Sequence, residues 1–150
     1  MFLRKRLKDH ESMLKFDGEF WYIKERKNDP YAILGALCHT SKDGVSGGTH
    51  TGILGEDWTN LDHAITHIAH KAEEMQRKNA FHELHDFGGA KFAIICDRKL
   101  RRQERMQAFM LLGDIAEELS ETIGKKILIG ADVGTKSYDL LFAKMIAPKH

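Results

Sequence analysis

Hydrophobic positions alternate along this chain between short runs and long periodic stretches. Glu19-Phe-Trp-Tyr-Ile-Lys24 is aromatic and β-branched and predicts a strand. Asn28-Asp-Pro30 is a turn signal. Tyr31 to Cys38 is nearly continuous in apolar residues, as in a strand covered on both faces. Thr40 to Gly55 holds five glycines, and we expect a loop over 43–52 whose backbone can approach a ligand closely. From Thr59, a candidate cap, to about Lys78 the positions Leu61, Ile65, Ile68, Ala72 and Met75 make one helical apolar stripe. A loop from about Phe81 to Gly89 and a buried strand, Lys91-Phe-Ala-Ile-Ile-Cys96, follow. Arg102 to about Thr122 is the strongest helix pattern, with Gly124 as its C-cap. Lys126-Ile-Leu-Ile129 predicts a fourth strand, and Ser137 to about Lys144 a short helix. Strands alternating with helices point to an α/β layer structure with a mostly buried sheet.

Composition narrows the classes. The 150 residues suit one domain over 1–150, and 42% hydrophobic against 30% charged residues allows a core. Twenty-three basic residues against 22 acidic ones give no reason to expect nucleic acid or an anionic membrane as partner. No apolar stretch reaches the roughly 20 residues of a membrane span, and no signal peptide opens the chain. Cys38 and Cys96 lie in apolar runs, which points to buried thiols in a reducing, cytoplasmic setting.

Two residues at strand ends stand out chemically. Lys91 follows Gly88-Gly89-Ala90 and leads into an apolar strand. Desolvation there lowers an amine's pKa toward acid–base use, unless the side chain snorkels to the surface. Asp132 follows Ile127-Leu-Ile129 between two glycines, where a carboxylate can move protons or simply cap a turn. His63, His67 and His70 share a helix face opposite the apolar stripe and read as a solvated polar face. His82-Glu83-Leu84-His85 lacks the His-Glu-x-x-His spacing and reads as a surface loop, so no metal is expected.

Four segments in order carry a resemblance: Gly44-Val-Ser-Gly47-Gly48-Thr49-His50, Met75-Gln-Arg-Lys78-Asn79-Ala80, Gly88-Gly89-Ala90-Lys91 and Ala131-Asp132-Val133-Gly134-Thr135. Together, over roughly residues 11–144, they resemble the N-terminal domain of the glutamate/leucine/phenylalanine/valine dehydrogenases. The resemblance implies a three-layer α/β/α sandwich with a mostly parallel mixed sheet, homo-oligomer contacts and a site for a small amino or keto acid. It implies Lys78 at the substrate carboxylate, Lys91 and Asp132 as the acid–base pair, and Gly47, Gly48 and Met75 along the pocket.

The segment Phe81 to Phe87 is bulky and charged where the family is small, Phe92-Ala93 follows Lys91 where small residues are common, and His50 replaces an arginine. These departures imply a different ligand or a lost activity. The family's second domain binds NAD(P), but no Gly-x-Gly-x-x-Gly occurs here. Only 18 residues follow Asp132, against about 30 for a βαβ unit. The expectation is therefore a stand-alone dimerisation and substrate-binding domain with no cofactor of its own. A separate Rossmann-domain chain would supply NAD(P). A cofactor-free acid–base enzyme and a purely structural oligomerisation module remain the alternatives.

Overall fold

The computed structural model describes residues 3–6, 19–38, 43–81 and 87–131. Its elements are β1 (Leu3–Arg6), β2 (Glu19–Lys24), β3 (Tyr31–Leu37), β4 (Gly44–Ile53), α1 (Leu61–Phe81), β5 (Phe87–Cys96), α2 (Arg102–Ile123) and β6 (Lys126–Ala131). Asp132, the expected helix over 137–144 and the His82–His85 segment lie outside the described residues.

The strands form one six-stranded sheet in the order β1-β2-β3-β5-β4-β6. It is mixed, but less parallel than expected. β5-β4 and β4-β6 pair in parallel, whereas β1-β2, β2-β3 and β3-β5 are antiparallel. The antiparallel half includes β1, which the sequence showed only as a short basic stretch.

The alternation of strand side chains divides the core into two layers. On one face Ile33, Leu37, Phe92 and Ile94 pack with Phe109, Leu112, Ile115 and Leu119 of α2. On the other Leu34, Ala36, Ala93 and Ile95 pack with Ala64, Ile65, Ile68 and Ala72 of α1. Of the expected stripe on α1, Ile65, Ile68 and Ala72 are buried and Leu61 is partly buried, whereas Met75 is half-buried outside this layer. Both cysteines are buried and outside any disulfide, and burial pushes the Cys96 thiol up to about 12.

Helix ends follow local chemistry. Asn60, not Thr59, caps α1: its side-chain oxygen accepts from the His63 backbone at 2.9 Å. The Thr59 N–H instead donates to the His63 ring at 3.0 Å. At the start of α2, Glu104 accepts from the Arg101 backbone at 2.9 Å and from both terminal nitrogens of Arg98 at 2.8 and 2.7 Å. These donors hold its carboxyl down at about 2. Gly124 ends α2 with φ of 66°, the left-handed cap expected of it.

The expected glycine loop is a strand. β4 spans ten residues and lies inside the sheet between β5 and β6. Its glycines serve packing of backbone on backbone. A Cβ on Gly47 would stand 1.5 Å from the Ala90 carbonyl oxygen. Similarly, a Cβ on Gly88 would stand 1.9 Å from the Cys38 carbonyl, and one on Gly89 2.0 Å from the Ala72 carbonyl of α1. β5 consequently begins at Phe87 rather than Lys91, and Lys91 is mid-strand rather than at a strand entry.

Candidate active-site cleft

α1 packs mainly on β5 and touches β4 much less. The α1-side face of β4 and β6 is thus left partly open, and a cleft of about 750 Å³ lies between that face and the helix. A volume of this order suits a small ligand.

Four elements supply the walls. β4 contributes Ser46, Gly47, Gly48 and His50; β5 contributes Ala90 and Lys91; β6 contributes Leu128, Ile129 and Gly130. α1 contributes His67, Lys71, Glu74, Met75 and Lys78. The cleft therefore brings together Gly47, Gly48, Met75, Lys78 and Lys91, five of the six residues singled out in the sequence. The sixth, Asp132, follows Ala131 at the end of β6 and lies outside the described residues.

The β4 register explains the shape of the floor. Gly44–Ser46 pair with Phe87–Gly89, and pairing resumes at Thr49 with Phe92. Between them, Gly47 and Gly48 keep their partners Ile129 and Gly130 on β6 but have no register partner on β5. The interruption stands opposite Ala90 and Lys91. Small residues on β4 leave room there for the lysine on the same face.

Lys91 is only 6% exposed. Burial pulls its ammonium down to about 8, and the neighbouring cations Lys71 and Lys78 add to the effect. At neutral pH it is a protonated group close to its titration point, suited to giving and taking a proton. Lys78, by contrast, is exposed on the last turns of α1. Its helix end is tied down by Asn79, which is 3% exposed. The Asn79 amide donates to the Gly88 carbonyl at 3.1 Å and to the Ser46 carbonyl at 3.4 Å. Asn79 thus locks α1 against β4 and β5 beside the two lysines.

His67 departs from the sequence reading. His63 and His70 are exposed as expected, but His67 is half-buried and lines the cleft. Its Nδ1 accepts from the indole N–H of buried Trp58 at 2.8 Å. His50 stacks against the same indole, with ring centroids 4.8 Å apart. Burial lowers the pKa of both imidazoles, with Lys91 and Lys71 adding to it. Neither role was visible in sequence, because Trp58 approaches the helix only through the turn after β4. No local signal separates His67 from His63 and His70 in the sequence.

Among the described residues no three His, Cys, Asp or Glu side chains gather at metal-binding distance. The described glycines also provide no dinucleotide cradle. Gly47, Gly48 and Gly52 lie within a strand, and not at the helix N-terminus where a pyrophosphate would sit. No helix among the described residues is long and apolar enough to cross a membrane.

No family model matches the chain. No curated protein matches it either. Among solved structures it is similar to L-tryptophan dehydrogenase from Nostoc punctiforme, with a TM-score of 0.68 at 17% identity. The match covers 90% of this chain and 36% of that one, so the chain spans about a third of the length of the structure it matches.

Proposed function

We propose that this chain works as a dehydrogenase-like dimerisation and substrate-binding domain, taking a small amino or keto acid in the cleft. Lys78 would hold the carboxylate, and Lys91 would move the proton at the reacting carbon's oxygen or nitrogen. Gly47, Gly48 and Met75 would shape the wall, and Asp132 would be the second proton carrier. The observation that supports this most is the convergence of Lys78, from α1, and Lys91, from β5, on one glycine-floored cleft. One cation for the carboxylate and a separate buried amine for acid–base work are what chemistry at the α-carbon of an amino acid requires.

Oxidative deamination would further need NAD(P), held by a Rossmann domain outside the described residues. The homo-oligomer and the cytoplasmic setting belong to the same proposal, the latter supported by two buried thiols outside any disulfide. A second reading is acid–base catalysis without a cofactor, favoured by the depressed pKa of Lys91.

The test is thermal-shift titration of the chain with amino and keto acids. A ligand should raise the melting temperature, and Lys78→Gln or Lys91→Met should abolish the rise. Calorimetry of the chain alone with NAD(H) should show no heat of binding. No response to any amino or keto acid would overturn the reading and leave an oligomerisation module. Turnover that needs Lys91 but no added nucleotide would favour the cofactor-free alternative.

A further inference from the structure

A second cavity, of about 420 Å³, lies on the α2 side of the sheet, away from the cleft. The turn after β2 gives it Glu25, Arg26 and Asp29, and one face of α2 gives it Met110, Leu111 and Asp114. Tyr31, the first residue of β3, completes the wall. The turn is closed on itself. The Arg26 N–H donates to the Asp29 carboxylate at 2.9 Å, and the Asp29 N–H donates to the Arg26 carbonyl at 3.1 Å.

Tyr31 is the unusual member. It is 5% exposed, yet its hydroxyl makes no hydrogen bond among the described residues. A buried phenol ordinarily has a partner. The oxygen is not fully enclosed, and the cavity is what it opens onto. Burial, then the charges of Asp29 and Glu25, push its pKa up to about 12, so the hydroxyl stays neutral. Asp29, Glu25 and Arg26 act on the hydroxyl and also line the cavity, which places it at their end. A neutral phenol oxygen can accept a hydrogen bond from a ligand.

Glu25, Asp29 and Asp114 are half-buried, and Glu25 and Asp114 have no hydrogen-bond partner among the described residues. Arg26 is exposed, and among the described residues no ion pair joins it to any of the three. The three carboxylates do not gather closely enough to hold a metal ion. They come instead from two separate elements, with the apolar Met110 and Leu111 beside Asp114. That arrangement suits a cation with charge at two places and methylenes between them.

We propose that this cavity binds a short aliphatic diamine. One ammonium is held by Glu25, Asp29 and the Tyr31 hydroxyl oxygen, and the other by Asp114. Calorimetric titration of the full chain at pH 7 with 1,5-diaminopentane, n-pentylamine and 1,5-pentanediol tests this. The diamine should bind about fivefold or more tightly than the monoamine, and the diol should not bind. Asp114→Asn should remove the advantage of the diamine over the monoamine, and Tyr31→Phe should weaken both amines. Because the hydroxyl has no partner in the described protein, Tyr31→Phe should leave the melting temperature of the ligand-free chain unchanged. Neither variant touches the cleft, so the response to keto acids should be the same in both.

No binding of any probe, or equal binding of the diamine and the diol, would overturn the site. So would a diamine that binds no better than the monoamine, or an advantage that survives Asp114→Asn. Unchanged amine binding in Tyr31→Phe would remove the hydroxyl from the site and overturn it as well. A fall in melting temperature with Tyr31→Phe would show that the hydroxyl already serves the fold, with the same result.

Discussion

Lys91 is where stability and chemistry pull against each other. A lysine ammonium titrates near 10.5 in an unfolded chain and near 8 in this fold. Between those values the unfolded chain holds more protons, so stability rises with pH across that window. Below about 8 the penalty for the buried charge is fully present. Lys91→Met removes the charge and keeps most of the stem. We expect it to stabilise the protein at pH 7 by about 1–3 kcal/mol, with little gain near pH 10.5, while ending the ligand response. Denaturant unfolding of both proteins at the two pH values measures this. Equal destabilisation at both would mean that the lysine is held by packing and that its charge carries no penalty.

At the scale of elements, β4 is the part that makes the cleft possible. A strand of Gly44-Val-Ser-Gly-Gly-Thr has weak intrinsic preference for extended structure. It is extended here because β5 and β6 flank it on both sides and satisfy its backbone groups. Gly47 lets β5 approach to a distance that no Cβ tolerates, and Gly89 of β5 does the same for α1. Gly47→Ala should therefore destabilise by more than about 3 kcal/mol or prevent folding, since its methyl would overlap the Ala90 carbonyl. Gly130→Ala is the control on the neighbouring strand. The nearest atom to its added methyl is 3.8 Å away, and Gly130 has no positive φ. It should be neutral or gain up to about 1 kcal/mol. Thermal denaturation of the pair decides whether close packing or ligand access explains Gly47.

Across the whole molecule, β5 is the structural axis. Gly88 to Cys96 is buried without interruption, both helices pack over it, and both halves of the mixed sheet meet on it. Lys91 is the one charged residue in that strand. Its backbone is thus held by the most protected element while its ammonium faces the cleft. Native-state hydrogen exchange should show the slowest amides in Ile94–Cys96 and the facing residues of β3, with opening free energies approaching that of global unfolding. The amides of β1 should exchange faster, because β1 pairs on one side only among the described strands. Fast exchange in β5 would contradict this account of how the lysine is positioned.

Much of this was legible in the order of residues. The stripe Leu61-Ile65-Ile68-Ala72, the αL cap at Gly124 and the apolar run Tyr31–Cys38 follow local rules of period and backbone freedom, and all appear in the fold. Lys91 stood out because it interrupts those local patterns, whereas Lys78 and the paired glycines stood out only through the family resemblance. Glycine content, however, does not say whether backbone freedom serves a turn or a close contact. Only the neighbouring strands, distant in sequence, made 44–53 part of the sheet. Likewise, nothing local distinguished His67 from His63 and His70. Its character came from Trp58, nine residues away, buried by the turn after β4 and directed at one ring nitrogen. Periodicity reports which face of an element meets the core. Which polar groups from separate elements meet each other depends on strand order and on where α1 lies across the sheet, and these exist only once the chain has folded.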